Sequence, residues 1–162
     1  MVAGGTTDGP AGRRWAAELA AWAIPEDILA AAPASPWGFP PDLFAAPSEP
    51  PDTPSRRRAL EALGAGGSVL DVGAGAGAAG LALVPPATGL IAVDERPEML
   101  ARLADTAAAR GVRAQTVVGS WPTVADEVPP ADVVVCHHVL YNVADVGAFA
   151  AALADHARRR VV

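Results

Sequence analysis

The stretch "SVLDVGAGAGAAGLAL", residues 68–83, joins a short apolar segment directly to a run of glycines. The segment "SVLDV", residues 68–72, is typical of a short buried strand. A sharp turn after a strand needs residues that tolerate positive φ, and a ligand can approach the main chain closely only where no Cβ intervenes. We therefore expect a strand, a glycine-rich turn and a ligand site beside that turn.

Strands and helices alternate along the rest of the sequence. Further strands are predicted at 89–94, 113–119, 131–138 and 158–162, with helices at 97–111 and 146–157, the second of them capped by Asp145. Strict alternation implies right-handed crossovers and a parallel sheet. The predicted fold class is α/β: a doubly wound, mostly parallel sheet of about five strands with helices on both faces.

A different segment precedes this domain. Residues 1–12 are predicted to be a flexible tail, and residues 13–54 a helical and proline-rich arm. The proline-rich part contains Trp37, Phe39 and Phe44, so we expect it to pack against the domain, as a structural arm or as a cover over substrate. Ser55 is predicted to cap the helix that opens the domain, residues 55–162.

Charge and cysteine content restrict the function. The net charge is −6, which disfavours nucleic acid as a partner and gives no reason to expect a membrane surface. The arginine runs 56–58 and 158–160 are interpreted as solvated flanks of elements. A single cysteine, Cys136, fits a reducing compartment, and residues 1–12 lack the features of a signal peptide. We expect a soluble cytoplasmic protein.

The glycines fit two cofactor sites. Gly75-x-Gly77-x-x-Gly80 matches the dinucleotide fingerprint, whereas Asp71-x-Gly73-x-Gly75-x-Gly77 matches a loop that holds S-adenosylmethionine. Both sites use a carboxylate at the end of the second strand to bind ribose hydroxyls, and Asp94 lies 19 residues after Gly75. These residues indicate a nucleoside-bearing cofactor without choosing between the two.

Asp71 favours the second interpretation, because a carboxylate is awkward beside a pyrophosphate and suits a cation. S-adenosylmethionine carries a sulfonium and an ammonium, which a nearby carboxylate stabilises. A nicotinamide-dependent oxidoreductase and a non-catalytic nucleoside-binding or scaffold domain are kept as alternatives.

The segments "VLDVGAGAG", "IAVDERPEML", "VVGSWP" and "ADVVVCHHVLYNV" resemble, in order, the motifs of class I S-adenosylmethionine-dependent methyltransferases. The resemblance covers about residues 55–162 and implies a Rossmann-like methyltransferase. It implies the following cofactor contacts: Asp71, Gly73, Gly75 and Gly77 at the methionine end, Asp94 on the ribose with Glu95 and Arg96 beside it, and Ser120 and Trp121 at the adenine. Ser120 stands where the family often has an acidic residue.

"CHHVLYN", residues 136–142, is expected to face the transferable methyl group. We predict that His137 contacts the cofactor and that His138 and Tyr141 shape the pocket of a small-molecule acceptor, with Trp37 as a candidate cover. A metal site is not expected, because neighbouring residues of an extended segment point to opposite sides. No catalytic residue is assigned, and His156 is predicted to be solvent-exposed.

The family domain usually has seven strands, and this sequence stops within the predicted fifth. We therefore expect a truncated copy with impaired turnover, or a chain completed by a partner or by self-association through the exposed fifth strand.

Overall fold

A computed structural model describes residues 9–33 and 40–162 and contains a five-stranded parallel sheet. The strands are β1 (Gly67–Val72), β2 (Ala87–Asp94), β3 (Ala114–Val118), β4 (Ala131–Val135) and β5 (Ala157–Val161). The helices are α1 (Pro10–Ala21), α2 (Glu26–Ala31), α3 (Pro54–Leu63), α4 (Pro97–Ala109) and α5 (Val146–His156). The strand order is β3-β2-β1-β4-β5, with β1 at the centre.

Helices cover both faces of the sheet, as the alternation of elements predicts. Val69 of β1 packs in a buried cluster with Leu63 of α3 and Leu103 of α4. The next residue, Leu70, packs in a second cluster on the opposite face with Phe149 of α5. Successive side chains of a strand point to opposite faces, so a central strand covered on both sides is apolar at consecutive positions. The fold is the expected doubly wound α/β architecture.

The order of the strands fixes where a ligand can bind. From β1 the chain first builds β2 and β3 on one side, and then returns to build β4 and β5 on the other. The gap between the two halves lies beyond the carboxyl ends of β1 and β4, and open α/β sheets bind their ligands at such a point. The glycine run follows β1 directly at this edge.

Several element boundaries differ from the sequence predictions, most by one to three residues, and two of the differences have an identifiable physical cause. The strand predicted over 131–138 ends at Val135, because the chain turns at His138, whose φ is 60°. Helix α3 is capped by Thr53 instead of Ser55: the Thr53 Oγ1 accepts a hydrogen bond from the Arg56 amide at 3.2 Å. Asp145 caps α5 as predicted, accepting from the Ala148 amide at 3.0 Å.

The N-terminal arm packs on the domain in two places. Helix α1, predicted from Arg13, begins at Pro10, and the Trp15 indole N–H donates to the Val143 carbonyl at 2.8 Å. Farther along, Ala45 forms an isolated antiparallel bridge with Gly77. The Arg110 guanidinium donates to the Ala46 carbonyl at 2.9 Å. Within the described residues this part of the arm is therefore packed on the domain.

Strand β5 is an edge strand of the sheet in the described part of the chain. Self-association through this edge stays a prediction, which light scattering over a range of protein concentrations can test. Within residues 9–33 and 40–162, no helix is long and apolar enough to cross a bilayer.

Leu103→Ala should destabilise the protein by about 2–5 kcal/mol, because Leu103 is fully buried between α4 and the sheet. The matched control is Leu43→Ala in the arm, where the side chain is 68% exposed and the expected change is within about 0.5 kcal/mol. Urea unfolding of both variants gives the comparison. Equal effects would contradict the described packing of α4.

Candidate functional site

A cleft of about 1030 Å³ opens at the carboxyl ends of β1, β2 and β4, beside the glycine turn. Its floor is formed by the last residues of these strands and its sides by the loops that follow them, together with parts of the arm and α3. Most of the site residues predicted from the sequence line it: Asp71, Gly73, Gly75, Asp94, Glu95, Ser120, Trp121, His137, His138 and Tyr141.

Two glycines let the turn after β1 pass close to its neighbours. Gly73 has φ 70°, and a Cβ at this position would collide with the Val139 side chain. Gly75 has φ 52°, and a Cβ there would lie 3.4 Å from the Cβ of Phe44. Other residues rarely adopt this backbone conformation. The turn is also tied to the sheet, because the Gly73 amide donates to the Val93 carbonyl at 2.8 Å.

Asp94 closes the turn from the side of β2. One carboxylate oxygen, Oδ2, accepts from the Gly75 amide at 2.8 Å, and the other, Oδ1, accepts from the Arg96 amide at 2.9 Å. A carboxylate oxygen has two lone pairs. Each Asp94 oxygen therefore keeps accepting capacity on the side of the cleft.

Asp71 lies deeper and is 1% exposed. Its Oδ2 accepts from the Gly80 amide at 2.7 Å. Burial raises the pKa of this carboxyl to about 7; the hydrogen bond from Gly80 opposes the shift, and the charge of Asp94 adds to it. The pKa of Asp71 thus lies close to neutral pH, and a bound cation would favour the ionised form of the carboxyl.

Trp121 lies at the end of the cleft beyond β3 and is 7% exposed. Its ring packs in the core cluster with Phe149, and its Nε1 has no hydrogen-bond partner within the described chain. A buried indole N–H normally finds an acceptor.

His156 supports Trp121, and the prediction that it is solvent-exposed is wrong. The two rings meet edge to face with centroids 4.8 Å apart. The Nδ1 of His156 lies 2.8 Å from the Ala152 carbonyl oxygen, and its Nε2 lies 3.0 Å from that of Ala125. Through these contacts with Trp121 and Ala125, His156 holds the loop after β3 against α5.

The segment after β4 supplies the other wall of the cleft. Burial, together with the charge of His138, lowers the pKa of His137, so its imidazole is neutral at pH 7. The Nε2 of His137 has no hydrogen-bond partner within the described residues. His138 and Tyr141 are exposed at the rim. Burial raises the pKa of the Cys136 thiol to about 12, which excludes a reactive thiolate at neutral pH.

Two predicted site residues are not part of the described lining. Gly77 faces the core: a Cβ there would lie 2.7 Å from Leu81 and 3.0 Å from Leu103. Its smallness thus lets the turn pack onto α4. Trp37, like Phe39, lies outside the described residues.

Three further residues of the lining come from segments with different expectations. Phe44 belongs to the proline-rich part that was expected to be a structural arm or a cover over substrate, and Asn142 to the segment 136–142 that was expected to face the methyl group. Arg56 also lines the cleft, although the run 56–58 was interpreted as a solvated flank. For Arg56 that interpretation is wrong. Helical spacing is the signal that separates Arg56 from its neighbours: it lies three and seven residues before Ala59 and Leu63, the buried residues of α3, and so shares their face.

No group of three or more potential metal ligands occurs in the part of the chain that the structure describes.

The sequence matches the model of a family described as "Methyltransferase domain" over residues 69–160. No curated protein matches it significantly. Similar solved structures include an S-adenosylmethionine-dependent methyltransferase from Clostridium acetobutylicum, at 18% identity and a TM-score of 0.53, where the alignment covers 63% of this chain and 43% of that one. Another is a methyltransferase from Thiobacillus denitrificans in complex with S-adenosyl-L-homocysteine, at 23% identity and a TM-score of 0.51, with coverage of 65% and 45%.

A third structure belongs to a protein described for the conversion of a disulfide bond into a thioacetal group during echinomycin biosynthesis, at 27% identity and a TM-score of 0.56. The alignment covers 74% of this chain and 50% of that protein. The chain thus spans half or less of the length of each of these three proteins.

Asp71→Asn should remove a pH dependence of stability. In the fold the Asp71 carboxyl keeps its proton up to about pH 7, whereas its ordinary pKa is 3.8. Its contribution to stability is complete below about pH 4, declines as the pH rises to about 7 and is level above. Asparagine is neutral throughout, and its Oδ1 can accept from Gly80. The variant should be more stable than the unsubstituted protein above pH 7, by on the order of a few kcal/mol.

Urea unfolding at several pH values between 4 and 8 measures this effect. The advantage of the variant should shrink as the pH falls toward 4. A difference that stays constant over the whole range would show that Asp71 does not titrate as described.

Proposed function

Because this chain belongs to the methyltransferase-domain family, we propose that it is an S-adenosylmethionine-dependent methyltransferase acting on a small-molecule acceptor. The observation that carries the proposal is the meeting of Asp71 and Asp94 in one cleft beside the glycine turn. These are the two carboxylates that a nucleoside with a cationic sulfur requires, one for the ribose and one for the positive charge.

The nucleoside end of the cofactor fits the side of the cleft above β2 and β3. Asp94 would accept hydrogen bonds from the ribose hydroxyls with its remaining lone pairs, and Glu95 lies beside it. Ser120 and Trp121 would border the adenine. The Trp121 ring is part of the lining, and this supports the fit because an aromatic side chain can stack on a planar heterocycle.

The methionine end fits the side above β1. Gly73 and Gly75 bring the main chain to the cleft without a side chain, and Gly77 holds the turn on α4 from behind. Asp71 would stabilise the positive charges of the ligand. Such a ligand also offsets the cost of burying the ionised carboxyl, because it lowers the pKa that burial has raised.

The cofactor, when bound, supplies an already activated methyl carbon. The residues of this chain then have to hold the acceptor in line with the methyl–sulfur bond and to exclude water. His137, His138 and Tyr141 follow the end of β4 and would shape the acceptor pocket, with His137 also touching the cofactor. Phe44, which packs over Gly75, would cover the site from the arm.

A small acceptor agrees with the charge and the volume of the site. The net charge of −6 opposes the binding of nucleic acid. A volume of about 1030 Å³ is at the upper end of ordinary small-molecule sites, which leaves room for a second ligand beside the cofactor. With its single cysteine, the protein would work in the reducing cytoplasm.

Calorimetric titration with S-adenosylmethionine, S-adenosylhomocysteine and NAD tests the proposal. We expect binding of the first two and not of NAD. Binding of NAD alone would favour the nicotinamide-dependent oxidoreductase. Cofactor binding without methyl transfer to any of a panel of nucleophiles would favour a nucleoside-binding scaffold.

Asp94→Asn should weaken S-adenosylmethionine binding about 10- to 100-fold, because an amide nitrogen cannot accept the hydrogen bonds that a charged oxygen accepts. The matched control is Asp105→Asn on the exposed side of α4, which should leave the affinity unchanged. An unchanged affinity in the Asp94 variant would show that this carboxylate does not hold the ribose.

A further inference from the structure

Arg56 is set apart from the two arginines that follow it. Arg57 pairs with Asp52 at 2.6 Å, and Arg58 pairs with Glu61 at 3.2 Å, in both cases on the exposed surface. Arg56 is half-buried and lines the cleft. One helical turn thus places three consecutive arginines in different environments, and only Arg56 of the three faces the candidate site.

The guanidinium of Arg56 is oriented by the main chain and not by an acid. Its Nε donates to the Ala82 carbonyl at 3.0 Å. Within residues 9–33 and 40–162, no carboxylate lies within 4.0 Å of its nitrogen atoms. The other arginine of the lining, Arg96, has Glu98 at 2.7 Å. Arg56 therefore offers an ordered cation with free N–H donors to whatever occupies the cleft.

The position of Arg56 matches one end of the proposed cofactor. Ala82, its partner, follows the glycine run and lies two residues after Gly80, whose amide is bonded to Asp71. Arg56 and Asp71 therefore belong to the β1 side of the cleft, and Asp94 to the β2 side. An amino acid is a zwitterion, and its recognition requires a cation for the carboxylate as well as an anion for the ammonium.

We propose that Arg56 binds the carboxylate of the amino acid moiety of the cofactor, an inference that rests on the proposed function of the same cleft. Guanidinium and carboxylate are matched in geometry and form charge-assisted, often bidentate, hydrogen bonds. Arg56 then fixes the methionine end of the ligand, and Asp94 fixes the nucleoside end. A ligand held at both ends presents its sulfur at a defined position over the end of β1.

The test compares two ligands that differ only at this end. S-adenosylhomocysteine carries the amino acid carboxylate and ammonium, whereas 5′-methylthioadenosine has the same nucleoside and thioether without them. Calorimetry on the full chain gives both dissociation constants for the unsubstituted protein and for Arg56→Met, which removes the charge and keeps an unbranched side chain. Arg57→Met is the matched control from outside the cleft.

We expect Arg56→Met to weaken S-adenosylhomocysteine about 10- to 100-fold and to change the affinity for 5′-methylthioadenosine less than about twofold. Arg56→Lys should recover part of the loss, and Arg57→Met should change neither affinity. An equal loss for both ligands would overturn the proposal in favour of a structural role through Ala82. An unchanged affinity for S-adenosylhomocysteine would overturn it too, and would indicate that Arg56 binds an anionic group of the acceptor instead.

The same titrations give a different result if the proposed function itself is wrong. If the unsubstituted protein binds neither adenosine ligand, the cleft does not hold this nucleoside and both proposals fall. If it binds both ligands and only the Arg56 comparison fails, the proposed function stands without this carboxylate contact.

Discussion

The hydrogen bond from the Gly75 amide to Asp94 Oδ2, at 2.8 Å, joins the turn after β1 to the end of β2. Five residues later, the Gly80 amide donates to Asp71 Oδ2 at 2.7 Å. The segment between these two glycines is thus held by a carboxylate at each end. Because unpaired backbone amides are costly to bury, the two bonds fix the path of the glycine run and with it the floor of the cleft.

Asp71 and Asp94 also influence each other's ionisation. Among the described residues no opposing charge lowers the pKa of the buried Asp71, and the charge of Asp94 raises that pKa further. A fold that retains such a group is less stable at neutral pH than one with a neutral residue there. This arrangement suits a site that receives a positively charged ligand, while Arg56, which lines the same cleft, is proposed to bind the carboxylate of that ligand.

The sequence predicted the sheet, its order of elements and the shared location of Asp71 and Asp94, because hydrophobic periodicity and glycine spacing are local signals. Its errors have local causes too. The apolar run 133–136 favoured a strand that continued to 138, but the strand ends at Val135, shortly before the turn at His138. Residue type did not distinguish Arg56, because positions 56–58 are all arginine. Consecutive residues of a helix point in different directions, so only one of the three lines the cleft.

Composition and spacing alone were sufficient to establish an α/β domain with an acid-flanked glycine turn, since these features follow from which residues are buried and how sharply the chain must bend. Folding had to bring together the parts that are distant along the chain. His156 meets Trp121, Phe44 covers Gly75, and Arg56 reaches the carbonyl of Ala82. Periodicity indicates that a side chain is buried or exposed, but its partner depends on how separate elements pack, and that information is not contained in any one segment.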